Sequence, residues 1–384
     1  MSWRVWLQAA LLGIASAGDD DDPLLPRVSD WRLRVASLHI QKTGGTALFL
    51  LCEALCPRNA TADSASTWLL DSTAKARCSS EEAGCKPGEA LATIGQDRAQ
   101  LSRGVDCACK MFDYHWNFFE LQQFGARVAP LAIITVLRDP VDRVISEYAY
   151  LSRHPAVLLQ DQWDYLTSAD LAARLRARGA DGHPQLGVAD FARYSPNPAH
   201  DRQARYLAGF ARGALNGEAK CCLRRSWGHA RNWAVEAAGG GADARSKEAA
   251  MERVDDAIAR VEANTTARHS PGLAKISDAG PPPVGRAETA RALEHLRDGV
   301  LAVGLLERED ETRELFEYQL GWPASVRPAG RITNASVAPK PRVSADLRAE
   351  IEARNSADLA LYAEATRLFE ARLARLHEKR RHQL

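Results

Sequence analysis

The stretch "LAIITVLRDPV", Leu131 to Val141, constrains the fold of this chain more than any other. Leu131–Leu137 is apolar at every position except Thr135. A strand with one wet face alternates apolar and polar residues. An almost unbroken apolar run suits a strand covered on both faces, as in a parallel sheet. Pro140 then opens a helical pattern, at a position where the missing N–H costs nothing. Val35–Ile40 reads as a first strand and Val300–Leu305 as another. Helices are expected over Gly45–Cys56 and Arg308–Leu320. Leu361, Tyr362, Ala365, Leu368, Phe369, Leu373 and Leu376 recur at helical spacing and predict a long C-terminal amphipathic helix. The expected class is α/β, with a central parallel sheet flanked by helices.

The chain of 384 residues, 46% of them hydrophobic, suffices for one large α/β domain or two modest ones. Its 50 basic and 49 acidic side chains leave a net charge of +1. No broad basic field of the kind that binds nucleic acid follows from this balance, so any anion site must be local. Met1–Arg4 is a short positive start, Val5–Ala17 an apolar stretch, and Ala15–Ala17 a small-residue cleavage pattern. Residues 1–17 read as a signal peptide or a short membrane anchor, and 18–31 as a polar lead-in. One domain is expected over 32–384. Gly239–Gly241 and Pro281–Pro283 bracket an insertion at about 239–285.

The eight cysteines are Cys52, Cys56, Cys78, Cys85, Cys107, Cys109, Cys221 and Cys222. They suit disulfides in an oxidising compartment and leave their pairing open. No C-x2-C pair and no H-E-x-x-H occurs, so no metal is implied. Asn59, Asn264 and Asn334 each begin a glycosylation acceptor pattern. The expected location is the secretory pathway, in the Golgi lumen or membrane, or outside the cell.

Between the first strand and its helix stands Gln41-Lys42-Thr43-Gly44-Gly45-Thr46. A glycine turn from strand to helix presents backbone N–H groups, and with the helix dipole these bind phosphate. Lys42 adds charge; Thr43 and Thr46 add hydroxyls. This is not a Walker A loop, because lysine precedes both glycines, and that argues against a P-loop kinase using ATP. The plainer reading is a tight turn with a solvated lysine. Arg138 follows the second apolar run, where parallel sheets place ligands, and Ser146 lies eight residues on, about two helical turns away. An arginine fork and a hydroxyl suit a second phosphate. The alternative is an ion pair of Arg138 with Asp139 or Asp142.

"IQKTGGT" and "LRDPVDRVISEY" together resemble the sulfotransferase superfamily, and look most like its heparan sulfate 6-O-sulfotransferases. "HWNFFEL" (115–121), "NPAHDRQARYLAGF" (197–210), "GLLEREDETRELFEYQLGW" (304–322) and "NSADLALYAEATRLFEARL" (355–373) are similar to segments of that family in the same order. The resemblance covers most of 33–376, with gaps. It implies a P-loop-like sulfotransferase fold and the donor 3′-phosphoadenosine 5′-phosphosulfate (PAPS). It implies transfer to a sugar hydroxyl of a polysaccharide or glycan, at a 6-O position. By that likeness His115 is the catalytic base, with Lys42 assisting departure of the 5′-phosphate. Lys42, Thr43, Gly44, Gly45 and Thr46 would hold the 5′-phosphosulfate, and Arg138 and Ser146 the 3′-phosphate.

The chain departs from the family at Thr333–Lys340, where an arginine and paired glycines are missing; Lys340 or Arg342 would have to substitute. Asp201 stands where the family has asparagine. The altered loop motivates a second reading, a glycan-binding pseudoenzyme that keeps the fold without turnover.

Overall fold

Among the described residues three strands pair in parallel in the order β1-β2-β3: β1 (Val35–Leu38), β2 (Ala132–Leu137) and β3 (Val300–Leu305). The computed structural model describes residues 22, 24–28, 35–44, 117–119, 121–122, 132–153, 169–179, 184–209, 249, 284–322 and 340–383. Val35 lies opposite Ala132, and Leu137 opposite Leu305. The apolar runs are explained by position: β1 is buried throughout, and β2 everywhere except at Val136. Thr135, the one polar residue of β2, donates its hydroxyl to the Leu38 carbonyl at 2.9 Å and so leaves no orphan in the core.

Eight helices stand out among the described residues: α1 (Pro140–Leu151), α2 (Ala169–Arg176), α3 (Val188–Arg193), α4 (Arg202–Ala208), α5 (Arg286–Asp298), α6 (Glu309–Leu320), α7 (Ala345–Arg354) and α8 (Ser356–Gln383). A 3₁₀ turn, Leu306–Arg308, joins β3 to α6. One apolar core lies between the sheet and α4, α5, α6 and α8, and includes Leu38, Leu137, Tyr206, Leu296, Val303, Leu361 and Phe369. A second lies under α1 and gathers Val141, Val144, Leu175, Phe191, Leu347 and Ile351. Gly304 lets α6 come close to β3: a Cβ there would stand 2.2 Å from Thr312 Cγ2. The Thr312 hydroxyl bonds both the N–H and the carbonyl of Leu305 at 2.9 Å.

The three expected strands, and the expected helices after Pro140, over 308–320 and at the C-terminus, find a counterpart with shifted boundaries. β1 ends at Leu38, so His39 follows the strand and is half-buried rather than lying within it. Pro140 does open α1, and the C-terminal helix runs for 28 residues. The lead-in is not simply solvated. Leu25 and Val28 are buried, Val28 N–H donates to the Gln319 carbonyl at 2.8 Å, and Asp22 pairs with Arg375 at 2.5 Å. The helix expected over 45–56, all eight cysteines and nearly all of the 239–285 insertion lie outside the described residues. Among the described residues no helix is long and apolar enough to cross a membrane.

Candidate functional site

The turn after β1 is shaped by its own residues. Lys42 takes a left-handed conformation at φ 68° and Gly44 another at φ 93°. Left-handed backbone costs a non-glycine residue free energy, so Lys42 is held there by its surroundings. Any side chain at Gly44 would be strained by this backbone, and its Cβ would displace the Leu306 Cδ1 methyl, which stands 2.7 Å away. The Thr43 hydroxyl donates to the Ile40 carbonyl at 2.9 Å, and Thr43 is buried. Thr43 therefore shapes the turn in this structure. Gln41 reaches inward, donating to Tyr206 Oη at 2.7 Å and accepting from Arg202 Nη1 at 3.2 Å.

Arg138 leaves β2 at the same sheet edge and meets this turn. Its Nη1 donates to the Lys42 carbonyl at 3.1 Å. Gln203 of α4 holds its backbone from both sides: Arg138 N–H donates to Gln203 Oε1, and Gln203 Nε2 to the Arg138 carbonyl, each at 2.9 Å. The side-chain amide thus satisfies the backbone N–H and carbonyl of Arg138 just beyond the strand. Arg138 Nε lies 4.0 Å from Glu307 Oε1, and this buried nitrogen makes no hydrogen bond. Glu307 is occupied elsewhere, accepting from Asp139 N–H at 3.0 Å and Tyr362 O–H at 2.9 Å. The ion pair with Asp139 or Asp142 does not form. Asp139 caps α1 through Asp142 N–H, and Asp142 pairs with Arg348 at 2.9 Å. Ser146 lies buried on α1, two turns beyond Arg138.

Charge converges on Lys42. Its ammonium sits 4.2 Å from the ring centroid of Tyr150. Burial lowers its pKa to about 8, with the cations of Arg138, Arg153 and Lys340 adding to the shift and Glu147 opposing it. Lys340 is shifted down as well, by burial and then by Arg138. Lys340 thus belongs to the same field of positive charge as Lys42 and Arg138. These desolvated cations concentrate positive charge at one sheet edge, and such a field favours an anion.

Beneath the site runs a buried ionic network. Glu147 pairs with Arg143 Nη1 at 2.5 Å and Arg202 Nη2 at 3.0 Å, and Arg143 Nε lies 3.7 Å from Asp358. Asp358 accepts from the N–H groups of Gln203 (3.3 Å) and Ala204 (2.7 Å) at the start of α4. Asp201 returns the contact, accepting from Ala357 and Asp358 N–H at 3.0 Å at the start of α8. Each helix is capped by a residue belonging to the other. This locks α4, and with it Gln203, in place behind Arg138.

The structure brings together Lys42, Thr43, Gly44, Arg138 and the α1 face that carries Ser146. Gly45, Thr46 and His115 lie outside the described residues. The chain just beyond His115 is anchored: Phe118 is buried and stacks on His295 with centroids 4.2 Å apart, so Phe118 serves packing and not a sugar. The sequence reading missed Gln203, Glu307 and Tyr150. Gln203 and Glu307 lie in matched segments, but their roles depend on contacts 65 and 168 residues away along the chain. No protein-family model matches this chain, and no curated protein matches it.

Proposed function

We propose that this protein transfers a sulfuryl group from PAPS to a sugar hydroxyl of a glycan, at a 6-O position, on a P-loop-like sulfotransferase fold. One observation carries the reading: Lys42 and Arg138, from loops 96 residues apart, meet at 3.1 Å at one edge of a parallel sheet. A nucleotide with phosphates at both 5′ and 3′ positions has two anionic ends to hold. Arg138 Nε fits that demand: it is buried, has no hydrogen bond and reaches its ion-pair partner Glu307 only at 4.0 Å, so a phosphate oxygen would supply the acceptor it lacks.

In this reading Lys42 and the N–H groups of its turn bind the 5′-phosphosulfate. They stabilise negative charge as the bond between sulfur and the bridging phosphate oxygen breaks. Arg138 and Ser146 bind the 3′-phosphate and orient the donor for in-line attack. Thr43 and Gly44 give the turn its shape, and Gly45 and Thr46 are assigned with them to the 5′-phosphosulfate. His115 takes the proton of the attacking hydroxyl as the new oxygen–sulfur bond forms. The donor supplies the sulfuryl group and leaves as 3′,5′-ADP. The apolar start of the chain supports a place in the secretory pathway, in the Golgi lumen or membrane.

The test is turnover of ³⁵S-labelled PAPS over a panel of glycans, with linkage analysis of the product. Label should enter a primary sugar hydroxyl. His115→Ala should lower kcat by about 10²–10⁴-fold, the usual scale for a lost general base. Its affinity for 3′,5′-ADP should be unchanged. No transfer to any glycan, with donor binding intact, would favour the pseudoenzyme.

A further inference from the structure

We infer that Tyr150 is a positioning residue for Lys42, holding its ammonium against the ring face where the donor's 5′-phosphosulfate is bound. This rests on the nucleotide reading above. The Lys42 ammonium lies 4.2 Å from the Tyr150 centroid, within the range of a cation–π contact. Lysine has a long stem with several free rotors, and fixing it on binding costs entropy. A ring that already holds the ammonium in the free protein removes part of that cost.

Among the described residues, the charged groups around Lys42 offer its ammonium no other resting place. Glu147, the carboxylate that attracts it, is fully buried and already paired with Arg143 and Arg202. Arg138, Arg153 and Lys340 all repel it. Among the described residues the Tyr150 ring is the neutral, electron-rich surface on which the ammonium rests.

The ring is itself fixed. Tyr150 stands in the last turn of α1, whose end is tied down on several sides. Ser152 N–H donates to the Tyr148 carbonyl at 2.9 Å, Arg153 Nε to Ala149 at 2.6 Å, and Arg178 Nη2 to Ser152 at 2.7 Å. Tyr148 Oη donates to the Leu186 carbonyl at 3.0 Å. α1 thus reaches the site at both ends. Its N-terminal flank places Arg138, and its C-terminal turn places the ring that holds Lys42.

A double-mutant cycle read by isothermal titration of 3′,5′-ADP tests this. Tyr150→Leu should weaken binding by about 3–10-fold, the scale of one cation–π contact. Tyr150→Phe, which keeps the ring, should bind within about twofold of wild type. In a Lys42→Met background Tyr150→Leu should change nothing further, because the ring then has no ammonium to hold. Tyr150→Gln repeats the cycle if the leucine variant melts below the assay temperature. Wild-type affinity in the non-aromatic variants, or the same loss with and without Lys42, overturns the inference while leaving the nucleotide reading standing. Failure of the wild-type protein to bind 3′,5′-ADP overturns both.

Discussion

Lys42 is placed where an ammonium is least comfortable: half-buried, in left-handed backbone, beside three other cations. Its charge is nonetheless what a phosphate needs. Only the protonated form attracts the donor, and in the free protein that form is lost as pH rises through about 8. The pH profile of kcat/KM reports groups of the free enzyme. Donor kcat/KM should therefore fall above about pH 8. In Lys42→Arg that limb should move out of range, because guanidinium stays charged, though at reduced activity because the fork does not copy a point charge. A falling limb that persists unchanged in Lys42→Arg would mean that another group titrates. At this scale the sequence was informative only in part. Lys42 and Gly44 announce themselves by a charge and a glycine between an apolar run and a helical pattern. Tyr150 does not, because nothing in a run of residues after a helix start says that its ring will lie against a side chain 108 positions earlier. The Thr43 hydroxyl shows the converse, since its type suited a ligand while its geometry serves the Ile40 carbonyl.

At the scale of elements, the reciprocal caps of α4 and α8 tie the donor edge to the C-terminal helix. Burial raises the pKa of both Asp201 and Asp358; the charge of Asp358 adds to the shift at Asp201, while Arg143 opposes the shift at Asp358. A carboxylate whose folded pKa is raised holds its proton longer in the folded state. The pair's contribution to stability is thus greatest at low pH and declines as pH rises from about 4 through the raised folded pKa. Asp201→Asn keeps an acceptor oxygen for the Ala357 and Asp358 N–H groups and removes the repulsion. At pH 7 it should stabilise the protein by about 1 kcal/mol, against a small loss of helix-dipole attraction. The gain should shrink toward pH 4. Urea unfolding of both proteins across that range measures it. A destabilised variant at pH 7 would show that the charge of Asp201 outweighs the repulsion. The strands could be read from sequence because continuous apolar runs report burial on both faces. The caps could not: Asp201 and Asp358 lie 157 residues apart and each caps the other's helix. Only the αL turn at Asp201 and the fold around it bring them together.

Across the whole molecule, a parallel sheet decides where chemistry can occur. All three strands point the same way, so β1 and β2 deliver their following loops to one edge. Gln203 then fixes the Arg138 backbone from α4, and Glu307, in the turn after β3, holds the N–H of the next residue, Asp139. The α/β architecture, the three strands and the long α8 were readable because burial periodicity is local. What was not readable was how residues 22–28 would pack, since buried Leu25 and Val28 are too few to stand out from a polar segment. The central claim is that the Lys42 and Arg138 loops form one site for a nucleotide with phosphates at both ends. It is tested most directly by titrating 3′,5′-ADP and 5′-AMP into wild type and Arg138→Ala. The account predicts that wild type prefers 3′,5′-ADP by about 10–100-fold, the worth of a charge-assisted arginine–phosphate contact. In Arg138→Ala that preference should largely vanish while 5′-AMP binds as before. Equal affinity of wild type for the two nucleotides, or an undiminished preference without Arg138, would contradict it.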